Sequence, residues 1–491
     1  MHILALLPFG AGGYMNYQET LNYLYQKLPM FQNIGGAAIK FGLKNIELLC
    51  QRLGNPQNKF QSIHVAGTNG KGSTSHFLAS ILQEHCKEIS NNNQKNTNKV
   101  GLLTSPHLKS FTERIRIDGN CITEDRVIQF VAENQAFIDD LQPSFFEVTT
   151  AMAFWYFAEM NVKIAIIEVG MGGRLDSTNI IMPILSVITN IGYDHQQFLG
   201  DTLPLIAGEK AGIIKPKIPV VVSEKHSETT AVFEQKALEN DAIIVFAEDI
   251  LQIKSIDFDK LNQEILAINI KTTPNPSLKE RGVLSTSLQG GVRGGHNQQI
   301  RTFQSALIGN YQQKNLLGVI CAIDMINDLN LLSEDISEQI SEESLQKGIL
   351  NVLKNTHLQG RWQILEREPL VVLDTAHNVH GIAVLMENIK HYQQNILSKN
   401  AKLHFVLGFM KDKDVEKVLS LYPKQASFYF CAPNLERAMS VEILQEKAKK
   451  LGIFGEIIQK PADALTQARA NAKPEDMIVV GGSTFVVAEV L

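Results

Sequence analysis

The chain has 491 residues, of which 44% are hydrophobic and 20% charged, with a formal net charge of −5. That length exceeds one ordinary core, so two domains are expected of a globular composition. The mildly acidic, interspersed charge argues against nucleic acid as a partner, and no apolar run approaches the roughly 20 residues of a membrane helix.

In chain order, the opening MHILALLPFGAGGYM has a brief apolar patch with no basic region before it, which does not make a secretory signal. Met1 and Met15 are both acceptable starts, because MNYQETLNYLYQKL reads as an ordinary first helix. β-Branched runs then alternate with amphipathic segments, the pattern of parallel α/β sheets. The first half offers SIHVA (62–66), VGLLT (100–104), KIAIIEV (163–169), ILSVITN (184–190), IPVVVS (218–223) and AIIVFA (242–247). A second series follows with LVVLD (370–374), LHFVLG (403–408), SFYFCA (427–432) and MIVVGG (477–482), and SVEILQEKAKKLG (440–452) reads as a helix between them.

Two polar stretches interrupt the pattern. EISNNNQKNTNK (88–99) reads as a surface loop, and residues 271–299, rich in Gly, Ser and Pro, read as a disordered insertion. The expected division is therefore 1–305, a first α/β domain with the insertion 271–299, and 306–491, a second α/β domain. The five cysteines (Cys50, Cys86, Cys121, Cys321 and Cys431) form no CxxC pair and read as free thiols of a reducing, cytoplasmic compartment.

The chemistry concentrates after the first strand, in Gly67-Thr68-Asn69-Gly70-Lys71-Gly72-Ser73. A strand, a glycine turn and a helix N-terminus aim several backbone N–H groups at one point, and the helix dipole favours an anion there. Lys71 adds a charge for the outer phosphates, and Ser73 can reach phosphate or its magnesium. The segment departs from G-x-x-x-x-G-K-[ST], since Val65 stands at the first glycine position and Gly72 follows the lysine. The helix after it carries Phe77, Leu78, Ile81 and Leu82 on one stripe. Glu168 and His195 both follow apolar strands, at the carboxyl ends where α/β sheets bind ligands. Alone, each reads at least as well as a satisfied structural residue.

Several separate segments carry a resemblance. AGTNGKGST (66–74), TSPHL (104–108), IEVGMGGRLDSTN (167–179), ITNIGYDHQQFLG (188–200), GEKAGIIKP (208–216), GRWQ (360–363) and LDTAHNVHG (373–381) occur in this order. Together they resemble the folylpolyglutamate synthase/dihydrofolate synthase family within the ATP-dependent Mur ligases. The resemblance implies a P-loop α/β domain with a parallel sheet and a smaller Rossmann-like α/β C-terminal domain. It implies magnesium on Ser105, Glu168 and His195, and a catalytic Lys71, Lys210 and His377, with Lys210 carbamylated. ATP would be held by residues 67–73 together with Asn315, Arg361 and Asp374. Ser144, Phe146, Asp176, Ser177 and Ser483 would serve the pterin and glutamate substrates.

The activity so implied joins L-glutamate to dihydropteroate, to the γ-carboxyl of reduced folates, or to both, through an acyl phosphate, in a monomeric enzyme with small-molecule substrates only. The same motifs leave two alternatives. A peptidoglycan-type Mur amino-acid ligase places a nucleotide-sugar domain ahead of the loop, whereas 63 residues precede His64 here. A regulatory ATP-binding protein without chemistry would leave Glu168, His195 and Arg361 unemployed.

Overall fold

The computed structural model describes residues 15–29, 42–93, 98–258, 265–272 and 300–491. The opening apolar patch and residues 273–299 of the expected insertion lie outside them. The Asn-rich stretch is not a loop at its start: the helix Lys71–Asn93 runs through it, and Lys99 already belongs to a strand. Lys271 and Thr272 likewise end a strand rather than begin the insertion.

Eight strands form the first sheet: β1 (Gln61–Ala66), β2 (Lys99–Leu103), β3 (Ile115–Ile117), β4 (Asn120–Cys121), β5 (Val162–Glu168), β6 (Leu185–Ile188), β7 (Val220–Val222) and β8 (Ile244–Phe246). Their spatial order is β4-β3-β2-β5-β1-β6-β7-β8, parallel except that β3 runs antiparallel to both of its neighbours, β2 and β4. β1 therefore lies between β5 and β6, where the chain turns to opposite sides, and such a switch point opens a crevice at the carboxyl ends. Val65 of β1 pairs with Glu168 of β5, and Ala66 with Ile188 of β6, so all three strands end level at that crevice.

The alternating faces of these strands are covered by helices. Ile63, Val65, Ile164 and Ile166 pack with the helix after the glycine loop, while Ala165 and Ile167 face the helices Glu124–Leu141 and Phe145–Glu159. The stripe Phe77, Leu78, Ile81 and Leu82 is fully buried, as its spacing predicts.

A small antiparallel sheet follows: β9 (Leu251–Phe258), β10 (Leu266–Thr272) and β11 (Ile300–Ser305), with β10 in the middle. Leu266, Ile268 and Ile270 alternate inward from it.

The third sheet holds β12 (Gln363–Arg367), β13 (Leu370–Leu373), β14 (Leu403–Leu407), β15 (Ser427–Phe430), β16 (Gly455–Ile457) and β17 (Met477–Gly481), in the order β12-β13-β17-β14-β15-β16. Only β12 is antiparallel to its neighbour. The fold is thus a parallel-sheet α/β domain followed by a separate C-terminal α/β domain.

The division after residue 305 does not follow the packing. Helices Gln312–Asp328, Glu342–Leu350 and Val352–Thr356 all lie on the helix after the glycine loop, with Ser80 Oγ donating to Gly348 O at 2.7 Å. We place the boundary near residue 360, where the chain leaves that helix and enters the third sheet. Among the described residues, no helix is long and apolar enough to cross a membrane. All five cysteines are free thiols.

Candidate active site between the two domains

The glycine loop is shaped by close approach. A side chain at Gly67 would overlap the Thr189 hydroxyl, and one at Gly70, whose φ is +83°, would overlap Asn315 Oδ1. Only glycine allows β6 and the helix Gln312–Asp328 to come this near. Lys71 is folded back on the loop, its Nζ donating to Gly67 O at 3.0 Å and Thr68 O at 3.2 Å. Lys210, on the helix Leu203–Ala211, donates to the same Gly67 carbonyl at 2.9 Å. Burial and then the nearby Lys71 charge lower the Lys210 amine to about 7.

On the other side of the loop, buried Glu168 accepts from Ser105 N at 3.0 Å. Burial raises its carboxyl above the usual range, while Lys71, the Ser105 N–H and Arg361 oppose that rise. Glu168, Ser105, Arg361 and Gly72 border one small cavity of about 60 Å³. Ser105 also faces a larger one, of about 320 Å³, that holds His195.

Arg361 Nη1 donates to Gly360 O at 3.2 Å and closely to Thr375 Oγ1, so its guanidinium is fixed over the loop. Asp374 is spent on the same turn. It accepts from Tyr311 OH at 2.7 Å, Trp362 N at 2.9 Å and Ala376 N at 2.8 Å. Asn315 Nδ2 donates to Gln312 Oε1 at 2.9 Å, and Gln312 Nε2 donates to Ser73 Oγ at 3.2 Å.

The larger cavity lies between the domains. The first domain supplies Gly67, Thr68, Lys71, Ser105, Ser144, Phe146, Asp176, Ser177, His195 and Lys210, and the second supplies His377 and Ser483. Phe146 lies against Gly170, where a side chain would collide with its ring. Ser144 caps the helix Phe145–Glu159 through Glu147 N at 3.2 Å. Asp176 takes Thr178 N at 3.0 Å, Thr178 Oγ1 at 2.5 Å and Met171 N at 2.9 Å, so most of its acceptor capacity serves its own loop. Ser483 accepts from Phe485 N at 3.2 Å.

Burial holds the His195 imidazole down at about 4, so it is neutral at physiological pH with a lone pair to offer. Among the described residues no three His, Cys, Asp or Glu side chains stand close enough to form a metal cage. A serine, a carboxylate and a neutral imidazole around a phosphate loop nevertheless fit a hard cation that takes its remaining ligands from water and phosphate.

Sequence reasoning passed over Asp194, Lys413, Arg114 and Arg437, which also line the larger cavity, and Asn378, next to His377. Lys413 Nζ donates to Asp194 Oδ1 at 2.7 Å and Asn378 Nδ2 to Asp194 Oδ2 at 3.0 Å, joining the domains directly. Asp194 stands beside the selected His195, and its neighbourhood was the only available signal. Lys413, in a polar turn after β14, carries none.

Residues 360–484 match the Mur ligase glutamate ligase domain family. The dihydrofolate synthase/folylpolyglutamate synthase of Bacillus subtilis is 30% identical over 487 residues, which cover 96% of this chain and 98% of that protein. A probable bifunctional folylpolyglutamate synthase/dihydropteroate synthase of Haloferax volcanii is 30% identical over 97% of this chain, which spans half of that longer protein. The structure of Escherichia coli FolC in complex with DHPP and ADP superposes with a TM-score of 0.75 at 28% identity, covering 97% of both chains. With a two-domain cleft built around a glycine loop and relatives matched nearly end to end, the chain belongs to the dihydrofolate synthase/folylpolyglutamate synthase family of ATP-dependent ligases.

Proposed function

We propose that this chain joins L-glutamate to dihydropteroate and to the γ-carboxyl of reduced folates, with ATP giving ADP and phosphate. What carries the reading is the convergence on one cavity of about 320 Å³ of the glycine loop, Lys71, Lys210, His195 and Phe146 from one domain with His377 and Ser483 from the other. A peptidoglycan-type acceptor has no comparable support, because the relatives matched over nearly their whole length are folate ligases.

A carboxylate is a poor electrophile, since its charge repels nucleophiles and oxide leaves badly. An oxygen of the pterin's carboxylate attacks the γ-phosphorus of ATP; the new O–P bond forms as the bond to the β-phosphate oxygen breaks, and ADP leaves. The glutamate amine then attacks the acyl carbon, the C–O bond to phosphate breaks, and the amine loses a proton. Lys71 and Arg361 offset charge on the phosphates, with the loop N–H groups. Ser105, Glu168 and His195 would hold magnesium, which supplies Lewis-acid charge neutralisation when bound. His377 Nδ1 donates to Thr375 O at 2.9 Å, which leaves Nε2 as the basic nitrogen, suited to accept the amine's proton. Asn315 and Asp374 shape the nucleotide's side of the loop, and Phe146 offers a ring face to the pterin. Lys210, part neutral near pH 7, is in the form that adds CO₂ to become a carbamate.

Holding reactants in attack geometry is worth roughly 7–11 kcal/mol, against about 1.5–3 kcal/mol for one hydrogen bond to a charged group. Positioning by two domains therefore dominates. The test is ADP release with dihydropteroate or tetrahydrofolate, with and without L-glutamate, and mass analysis of the products. Turnover that requires both pterin and glutamate, with products heavier by one glutamyl unit, is expected. Turnover independent of the pterin overturns the reading.

A further inference from the structure

We propose that Asp194 is a positioning residue that latches the two domains over bound nucleotide, acting through Lys413 and Asn378; the inference rests on the ligase reading above.

Asp194 follows β6 in the first domain, with 11% of its side chain exposed. Both of its carboxylate oxygens are taken by the second domain. Oδ1 accepts from Lys413 Nζ at 2.7 Å, and Oδ2 accepts from Asn378 Nδ2 at 3.0 Å with His377 Nε2 at 3.7 Å. Lys413 is equally enclosed, with 11% exposed, and Asp194 is the acid it meets.

Opening the cleft would separate Asp194 from every one of its second-domain partners at once. Removing one partner while the domains stay together leaves an enclosed, uncompensated charge, a far larger loss than at an exposed pair, so either substitution disfavours the closed arrangement. On opening, the carboxylate keeps its own-domain contact with His195 N at 2.9 Å and loses every partner from the second domain.

Asn378 ties the same contact to the nucleotide loop. Its Nδ2 also donates to Asn69 Oδ1 at 3.0 Å, while its Oδ1 caps the helix Val379–Asn395 through Gly381 N at 2.8 Å. Asn69 is itself fixed: its N donates to Asn190 Oδ1 at 2.9 Å and its carbonyl accepts from Thr189 Oγ1 at 2.5 Å. Its Nδ2 meets His380 Nδ1 at 3.0 Å. A loop residue, a helix cap and an interdomain ion pair therefore form one connected joint. Displacing the loop changes the joint, and opening the joint changes the loop. This is a coupling between nucleotide binding and closure, reciprocal by linkage.

The test compares full-length wild type with Lys413→Met, Asp194→Asn, the double variant and the conservative Lys413→Arg. Small-angle X-ray scattering in the presence of a non-hydrolysable ATP analogue reads closure, and steady-state kinetics separate KM from kcat for ATP and for glutamate. Lys413→Met and Asp194→Asn are expected to have a larger radius of gyration than wild type and a kcat/KM for ATP lower by about 5- to 150-fold. The double variant should be no worse than the poorer single one, because both remove one joint. Lys413→Arg should stay closed and active. Wild-type dimensions in both single variants, additive losses, or a Lys413→Met defect confined to the KM for glutamate each overturn the latch. Should Asp194→Asn fail to fold, the Met and Arg variants at position 413 still decide. Failure of wild type to release ADP in a pterin-dependent way counts against the ligase reading alone, since the scattering comparison does not depend on the acceptor.

Discussion

Glu168 is a carboxylate where an isolated charge is unfavourable, at the buried end of a central strand. Glu168→Gln keeps the shape and still accepts from Ser105 N, while removing the charge that magnesium and Lys71 would meet. We expect turnover to fall by about 10²–10³-fold, the scale of losing one preorganised electrostatic contact, with the thermal midpoint unchanged or higher. Near-normal magnesium-dependent activity in this variant would remove Glu168 from the metal site. Lys210 gives a prediction with a definite sign. Its amine falls to about 7 in the fold from 10.5, through burial first and Lys71 second. The neutral, CO₂-reactive fraction therefore grows as pH rises through 7. Activity regained on adding bicarbonate to CO₂-depleted enzyme should be greater at pH 8 than at pH 6, and Lys210→Arg should not respond. A bicarbonate response that is absent, or stronger at pH 6, excludes carbamylation. For the unmodified lysine, the buried cation costs stability below about 7. Above that pH the unfolded chain binds the extra proton, so the folded state gains as pH rises towards 10.

At the scale of elements, the packing of residues 312–356 on the helix after the glycine loop depends on Gly348. A side chain there would run into the backbone of Ile81. Gly348→Val is expected to cost about 1–3 kcal/mol by overpacking, measured by chemical denaturation of the full chain. If stability is unchanged, the helices do not pack as closely as described. This arrangement was not readable from the sequence, because an amphipathic helix reveals that it has a buried face but not which sheet covers it. Ten strands were readable, since a parallel strand buried on both faces is a continuous run such as KIAIIEV or LHFVLG. Those that escaped were short or at edges. β3, β4 and β16 have three residues or fewer, and β12 has an exposed alternation that resembles a loop. The antiparallel trio β9, β10 and β11 flanks the polar stretch that drew attention instead, although LAINIK alternates plainly.

For the whole molecule, the glycine loop and the residues at strand ends could be named because each belongs to a short local motif. Asp194 and Lys413 could not. They lie 219 positions apart, and nothing local marks two charges that meet only when two domains do. The same two-domain geometry carries the chemical prediction that decides the mechanism. If the acid is activated by phosphoryl transfer inside the cleft, one oxygen of the pterin's carboxyl becomes the bridging atom of a mixed anhydride. When the glutamate amine displaces phosphate, the C–O bond breaks and that atom departs with phosphorus. Dihydropteroate labelled with oxygen-18 in both carboxyl positions should therefore yield one labelled oxygen per inorganic phosphate and retain the other in the new amide. Omitting glutamate should suppress release of labelled phosphate, because the enclosed intermediate lacks its nucleophile. Attack of the amine on an unactivated acid, with ATP hydrolysed separately by water, would leave the phosphate unlabelled. Mass spectrometry of the released phosphate distinguishes these outcomes in a single turnover, and unlabelled phosphate would refute the acyl phosphate even where glutamate had been joined.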